Sequence, residues 1–219
     1  MQETTQVTYG EGTVTLVVST ESETEVAAPD IRFGDYYQAV EASFTVRELE
    51  EISEGSSASL DFHYVMTDEP DDEEELAHFK SGIEKAEMLT GPLKSGVYFE
   101  VRAEKSIDGE EINLIDTLYD DIEFQYEIPR YLVAEKRAYY AMTDVMGVCV
   151  LEEDVDKDAD TLSVSTHNIG TTLILYQDGK DRAKNDQSGF ALKTQHLFIA
   201  AIFALGLAWW ALEKRYRRR

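Results

Sequence analysis

Short stretches in which apolar and polar residues alternate, each closed by Gly, Asp, Asn or Pro, recur along most of this 219-residue chain. A side chain in an extended strand changes face at every residue, so alternation marks a segment with one face buried and the other wet. Residues 13–18 (TVTLVV) read as the first such strand. Nine more follow from Tyr36 onward, at 42–49, 58–66, 96–103, 112–115, 122–128, 138–142, 148–151, 162–166 and 172–176. Strands this short, with turn residues between them, predict a mainly β fold, an immunoglobulin-like β-sandwich over residues 35–178. The polar run STESETE from Ser19 reads as linker or hairpin loop, which makes residues 1–34 a strand and linker segment ahead of the sandwich.

One stretch breaks the alternation. The acids at 71–75 precede Leu76, Phe79, Ile83, Ala86 and Leu89, whose spacing of three and four predicts one amphipathic helix. The acids fall at its N-terminus, and Lys80 and Lys85 lie further along, an order that complements the helix dipole.

Charge carries the next constraint. The chain has 44 Asp and Glu against 20 Lys and Arg, a net −24. The last seven residues hold five of the cations, Lys214, Arg215, Arg217, Arg218 and Arg219, and one acid. Residues 1–212 therefore carry 15 basic and 43 acidic residues, net −28, and the tail +4. A body this acidic repels phosphate backbones, which excludes nucleic acid as a partner. Twelve Tyr and nine Phe among the acids argue equally against a disordered acidic chain.

Ahead of the basic tail, residues 197–212 are uncharged and apolar. As a helix they cover about 24 Å, slightly less than the roughly 30 Å of a bilayer's hydrocarbon, so flanking polar residues snorkel. Trp209 and Trp210 stand where an aromatic belt belongs. The expected order is thus a sandwich, a polar stalk at 179–196, a single transmembrane helix at 197–212 and a basic cytoplasmic tail at 213–219. The positive-inside rule puts the acidic body outside the cell. The first six residues, MQETTQ, have neither the charged nor the apolar part of a signal peptide, which leaves two readings, a fragment of a longer precursor whose leader was removed or a tail-anchored protein with a cytoplasmic body; the charge of the tail favours the first. The lone Cys149, between Val148 and Val150, reads as a small hydrophobe on a strand and excludes an intrachain disulfide framework.

Several motifs appear in a fixed order in the second half: Gly96-Val-Tyr-Phe-Glu-Val, a strand ending Ile128-Pro129, Arg137-Ala-Tyr-Tyr, a hairpin near Met146-Gly147, an acidic turn, Thr161-Leu-Ser-Val-Ser-Thr-His-Asn and Thr171-Thr-Leu-Ile-Leu-Tyr-Gln-Asp178. This succession, over roughly residues 42–178, resembles the C-terminal β-sandwich module of Gram-positive (Firmicute) cell-surface proteins. Its motifs are strand and turn chemistry and bring no catalytic residues. In that family a sortase signal, Leu-Pro-x-Thr-Gly, precedes an apolar span and an Arg-rich tail. The C-terminal part of this chain is similar, with Ala191-Leu-Lys-Thr-Gln195 at the signal position. The proline is missing and Gln195 replaces the glycine, so the resemblance implies a degenerate sorting region and retention in the membrane rather than covalent attachment to the wall.

Constellations for chemistry are sparse. His63, His78, His167 and His196 are scattered, with no zinc-ligand spacing, and no G-x-S-x-G, P-loop or G-x-G-x-x-G occurs. Asp154, Asp156, Asp158 and Asp160 alternate like the start of an EF-hand loop, but Ala159 replaces its glycine and Ser165 its terminal Glu. A solvated acidic loop is the plain reading and a weak Ca²⁺ site the sharper one; no other cofactor is implied. A Lys–Asn isopeptide crosslink of the kind some surface proteins carry has only Asn113, Asn168 and Asn185 to draw on. The function expected is non-enzymatic: surface display, adhesion or assembly, with the bilayer and an unidentified protein or glycan as partners. The alternative is a single-span accessory subunit of a larger membrane complex, with Ala200, Ala201, Ala204, Gly206 and Ala208 giving close helix contact.

Overall fold

The computed structural model describes residues 1–179 apart from 111, 157 and 159. The fold is mainly β: the described residues form eleven strands and three helices. In chain order these are β1 Gln2–Tyr9, β2 Gly12–Ser22, β3 Ile31–Phe33, α1 Tyr36–Ser43, α2 Val46–Ser53, β4 Ser57–Thr67, α3 Glu73–Thr90, β5 Lys94–Ile107, β6 Asn113–Leu114, β7 Thr117–Glu127, β8 Arg137–Val145, β9 Val148–Glu153, β10 Thr161–Asn168 and β11 Thr172–Asp178.

The larger sheet runs β1-β2-β4-β5-β11-β8-β9, with β6 added to β5, and the smaller runs β10-β7-β3. Alternation does what the sequence promises in β2, where Val14, Leu16 and Val18 are buried and their neighbours half-exposed, and in β4 with Leu60, Phe62, Tyr64 and Met66. These side chains meet Phe33, Phe124 and Tyr126 of the smaller sheet in the main core, where Phe33 and Phe62 stack edge to face at 4.8 Å. In β8 every residue from Ala138 to Asp144 is buried, because the sheet is covered on both faces there. The second cover is α3, whose Phe79 and Ala86 close a separate core with Tyr98, Tyr140, Met142, Leu173 and Leu175.

Eight of the nine alternating segments after Tyr36 are strands. Residues 42–49 are not: they straddle α1 and α2. Asp35 caps α1 by accepting from the Tyr37 and Gln38 amides at 2.8 and 3.2 Å. Phe44 breaks out in extended conformation, and Thr45 opens α2 with a capping box. The Glu48 amide donates to Thr45 Oγ1, and Glu48 Oε2 accepts from the Thr45 amide at 2.6 Å. Reciprocal capping satisfies donors that a strand would have given a ladder, so helix wins over alternation. The single helix expected is therefore one of three.

Residues 1–34, read as strand and linker, supply β1, β2 and β3, and the polar run from Ser19 begins inside β2. β2 pairs with β4 in parallel, Val14 against Ala58 through Ser22 against Met66, and the crossover between them carries β3, α1 and α2. Parallel neighbours need such a crossover, which a hairpin cannot supply. α3 begins as expected, with Asp72 accepting from the Glu74 amide at 2.7 Å and Glu73, Glu74 and Glu75 in the first turn. Its last turn holds no basic residue, so Lys80 and Lys85 complement the dipole less than their order suggests. No helix among the described residues is long and apolar enough to cross a membrane. The expected stalk beyond Gly179, the span at 197–212 with Trp209 and Trp210, and the cations Lys214, Arg215, Arg217, Arg218 and Arg219 lie outside the described residues.

Candidate functional site

The most built surface of the body lies where α3 crosses β8 and β9. Gly82 permits the approach: a Cβ there would stand 2.6 Å from Cys149 Cβ and 2.9 Å from Met142 Sδ, so only glycine lets the helix seat on the sheet. One turn earlier, His78 Nδ1 lies 2.9 Å from Asp144 Oδ2, and the Gly147 amide donates to Asp144 Oδ1 at 2.8 Å. Asp144 is buried at the end of β8, and the β8–β9 hairpin turns through Met146 and Gly147, both at positive φ. The carboxylate therefore ties helix, strand end and turn together.

Two recesses flank this tie, and His78 and Gly147 line both. One, about 850 Å³, is strongly acidic, with Asp72, Glu74, Glu75, Asp116 and Asp144 on its walls against Arg102. Its field concentrates cations and repels anions. The other, about 340 Å³, runs between α3 and β9 and has an apolar floor of Ala86, Met142, Cys149 and Leu151. Cys149 sits on β9 as read from the sequence. Burial first, then the charge of Asp144, pushes its thiol up to about 11, so it stays protonated and a poor nucleophile at neutral pH. No local spacing announces the pairing of His78 with Asp144, since the two lie 66 residues apart.

Two of the four aspartates of the acidic loop, Asp154 and Asp156, organise the chain between β9 and β10. Asp154 Oδ1 accepts from the amides of Asp156 and Ser163, each at 3.2 Å. Asp156 Oδ1 accepts from the Asp158 amide at 2.8 Å, while its Oδ2 accepts from Thr161 Oγ1 at 2.8 Å and Ser163 Oγ at 2.7 Å. Asp158 and Asp160 are exposed. The structure thus brings Asp154 and Asp156 together around Thr161 and Ser163 and leaves the other two outside that knot. Among the described residues no three His, Cys, Asp or Glu side chains are gathered as a metal would need.

The crosslink candidates separate likewise. Asn113 stands opposite Lys105 in the β5–β6 register, but the Lys105 ammonium turns inward to Glu48 Oε2 at 2.6 Å and the Ser43 carbonyl at 3.1 Å. The Asn168 amide donates to Thr166 Oγ1 at 3.1 Å, and Asn185 lies outside the described residues. His63 meets Ser19 Oγ at 2.8 Å and His167 meets Asp121 at 2.6 Å, both away from the two recesses. No family model matches the chain, and no curated protein or solved structure matches it either.

Proposed function

We propose that this protein is a non-catalytic, membrane-anchored β-sandwich protein of a Gram-positive-type cell surface, serving display, adhesion or assembly. The observation that carries this reading is the order of parts: a folded acidic body, a polar run, an uncharged stretch at 197–212 and five cations behind it. That order favours one span with its basic end in the cytoplasm and the body outside. Two facing sheets suit an immunoglobulin-like display module, while the parallel β2/β4 pair departs from the antiparallel immunoglobulin pattern. Such a module binds through edges and recesses rather than through chemistry.

Topology is tested in intact cells carrying an epitope tag before Met1 and another after Arg219. Added protease removes the first tag and spares the second; loss of the second alone overturns the orientation. The weak Ca²⁺ role of the loop with Asp154, Asp156, Asp158 and Asp160 is tested by titration calorimetry with millimolar Ca²⁺, where a flat trace removes it. The small residues Ala200, Ala201, Ala204, Gly206 and Ala208 favour a second reading, an accessory subunit packed against a larger complex. A membrane partner that stays bound through purification in mild detergent supports that reading against a solitary adhesin.

A further inference from the structure

We propose that the open edge of β9, with the groove beside it, is where two copies of this chain pair strand to strand. This goes beyond the display reading and stands whichever side of a membrane the body occupies.

Strand β9 ends the larger sheet, and among the described residues no strand adds to its outer side. Val148 closes the two-residue hairpin against Val145, which turns its backbone groups inward. The N–H and C=O groups of Cys149, Leu151 and Glu153 consequently point out of the sheet. An unguarded row of this kind is a template for another strand. β9 has no proline or lysine, and its pairing with β8 runs without a bulge from Val148 to Glu153.

The surroundings of this edge are unlike the acidic recess beside it. In a body of net −28, nothing anionic lines the groove, and its only cation is Lys85. Helix α3 contains five glutamates, yet the face it turns to the groove is His78, Ser81, Gly82, Lys85, Ala86 and Leu89. At the two ends stand large apolar side chains bared to water: Leu89 is 88% exposed and Val148 65%. Acids have been kept off one stripe of an acidic protein, which is what a surface meeting another copy of that protein requires.

The sequence of β9 is complementary to itself. Antiparallel pairing about a two-fold axis at Val150 sets Cys149 against the partner's Leu151 and Val148 against the partner's Glu152. The outward backbone groups of Cys149 then meet those of the partner's Leu151, as a hydrogen-bonded pair needs. Cys149 and Leu151 face α3, so the partner's pair extends the apolar floor. Glu153 lies opposite the partner's Gly147, beside which the partner's His78 stands, and no acid faces an acid directly. Because α3 packs over β8 and β9, the two helices come to lie antiparallel at roughly 10 Å, an ordinary helix-packing distance. The interface is isologous and closes at two copies.

The test is sedimentation equilibrium of the full chain in mild detergent from about 1 to 100 µM. The expected result is a two-chain mass at the upper end. Leu89→Asp with Val148→Asp, which sets a second acid against the partner's Glu152, should weaken association at least tenfold, while Gln6→Lys, on the opposite sheet edge, leaves it unchanged. Both β9-side positions are solvent-exposed, and an unaltered circular dichroism spectrum verifies that the variant folds. Val150→Cys in a Cys149→Ser background should give a crosslinked dimer under copper-phenanthroline oxidation, since a non-hydrogen-bonded pair brings the two Cα atoms within disulfide range. A one-chain mass at 100 µM overturns the proposal. So does a dimer that ignores the double substitution, that yields to Gln6→Lys, or that fails to crosslink at position 150.

Discussion

Glu152 occupies β9 where that strand packs against β10. Burial raises its carboxyl to about 7; Thr166 pulls it back, and the negative charge of Asp121 pushes it up again. The ordinary value is 4.5, so between 4.5 and about 7 the folded chain holds a proton that the unfolded chain has lost. A folded-state pKa above the unfolded one gives stability that is complete below 4.5 and is lost as pH rises through 7. Unfolding free energy measured by urea titration should therefore fall across that window on account of this residue. Glu152→Gln should remove this contribution and raise stability at pH 8 by roughly 2 kcal/mol, allowing for partial exposure. An unchanged pH slope in the variant would assign the pH dependence to other groups.

Two elements can be broken selectively. Thr45→Ala removes one half of the α2 capping box and should lower stability by about 1 kcal/mol in urea unfolding. Gly82→Ala improves intrinsic helix propensity by about 1 kcal/mol, yet its Cβ meets Cys149, so the variant should be less stable by roughly 2 kcal/mol. A stabilised Gly82→Ala protein would mean that α3 does not seat on β9 as described. These elements also mark where the sequence is readable. Strands β4, β5, β7 and β8 to β11 are legible because period-two alternation and turn residues agree with the final pairing. α3 is legible from its three-and-four spacing and its acidic first turn. Residues 42–49 mislead because their apolar density imitates a strand, although the Thr45-Val-Arg-Glu48 capping signature in the same stretch encodes the helix that forms. β1 escapes detection because Thr and Gln dominate it and only Val7 is buried. Of the site, the strand position of Cys149 is legible from its Val neighbours. The contact of His78 with Asp144 arises only when α3 folds across β8, and no sequence spacing encodes it.

At the scale of the whole molecule, charge and topology set the behaviour. A body of net −28 repels itself, and folding compresses that charge. Raising NaCl from about 10 to 500 mM shortens the screening length from roughly 30 to 4 Å and should lift the thermal midpoint by several degrees. A midpoint indifferent to salt would mean the acids are already compensated within the fold. The order of strands has a mechanical meaning as well. β1, near the start of the chain, is held by a ladder on one side only, whereas β11, the last strand described, lies between β5 and β8 and is hydrogen-bonded to both. A load drawn through the N-terminal end can unzip a single ladder pair by pair. Displacing β11 requires two ladders to break at the middle of the sheet, so tension carried between the two ends should open β1 first and leave β11 seated.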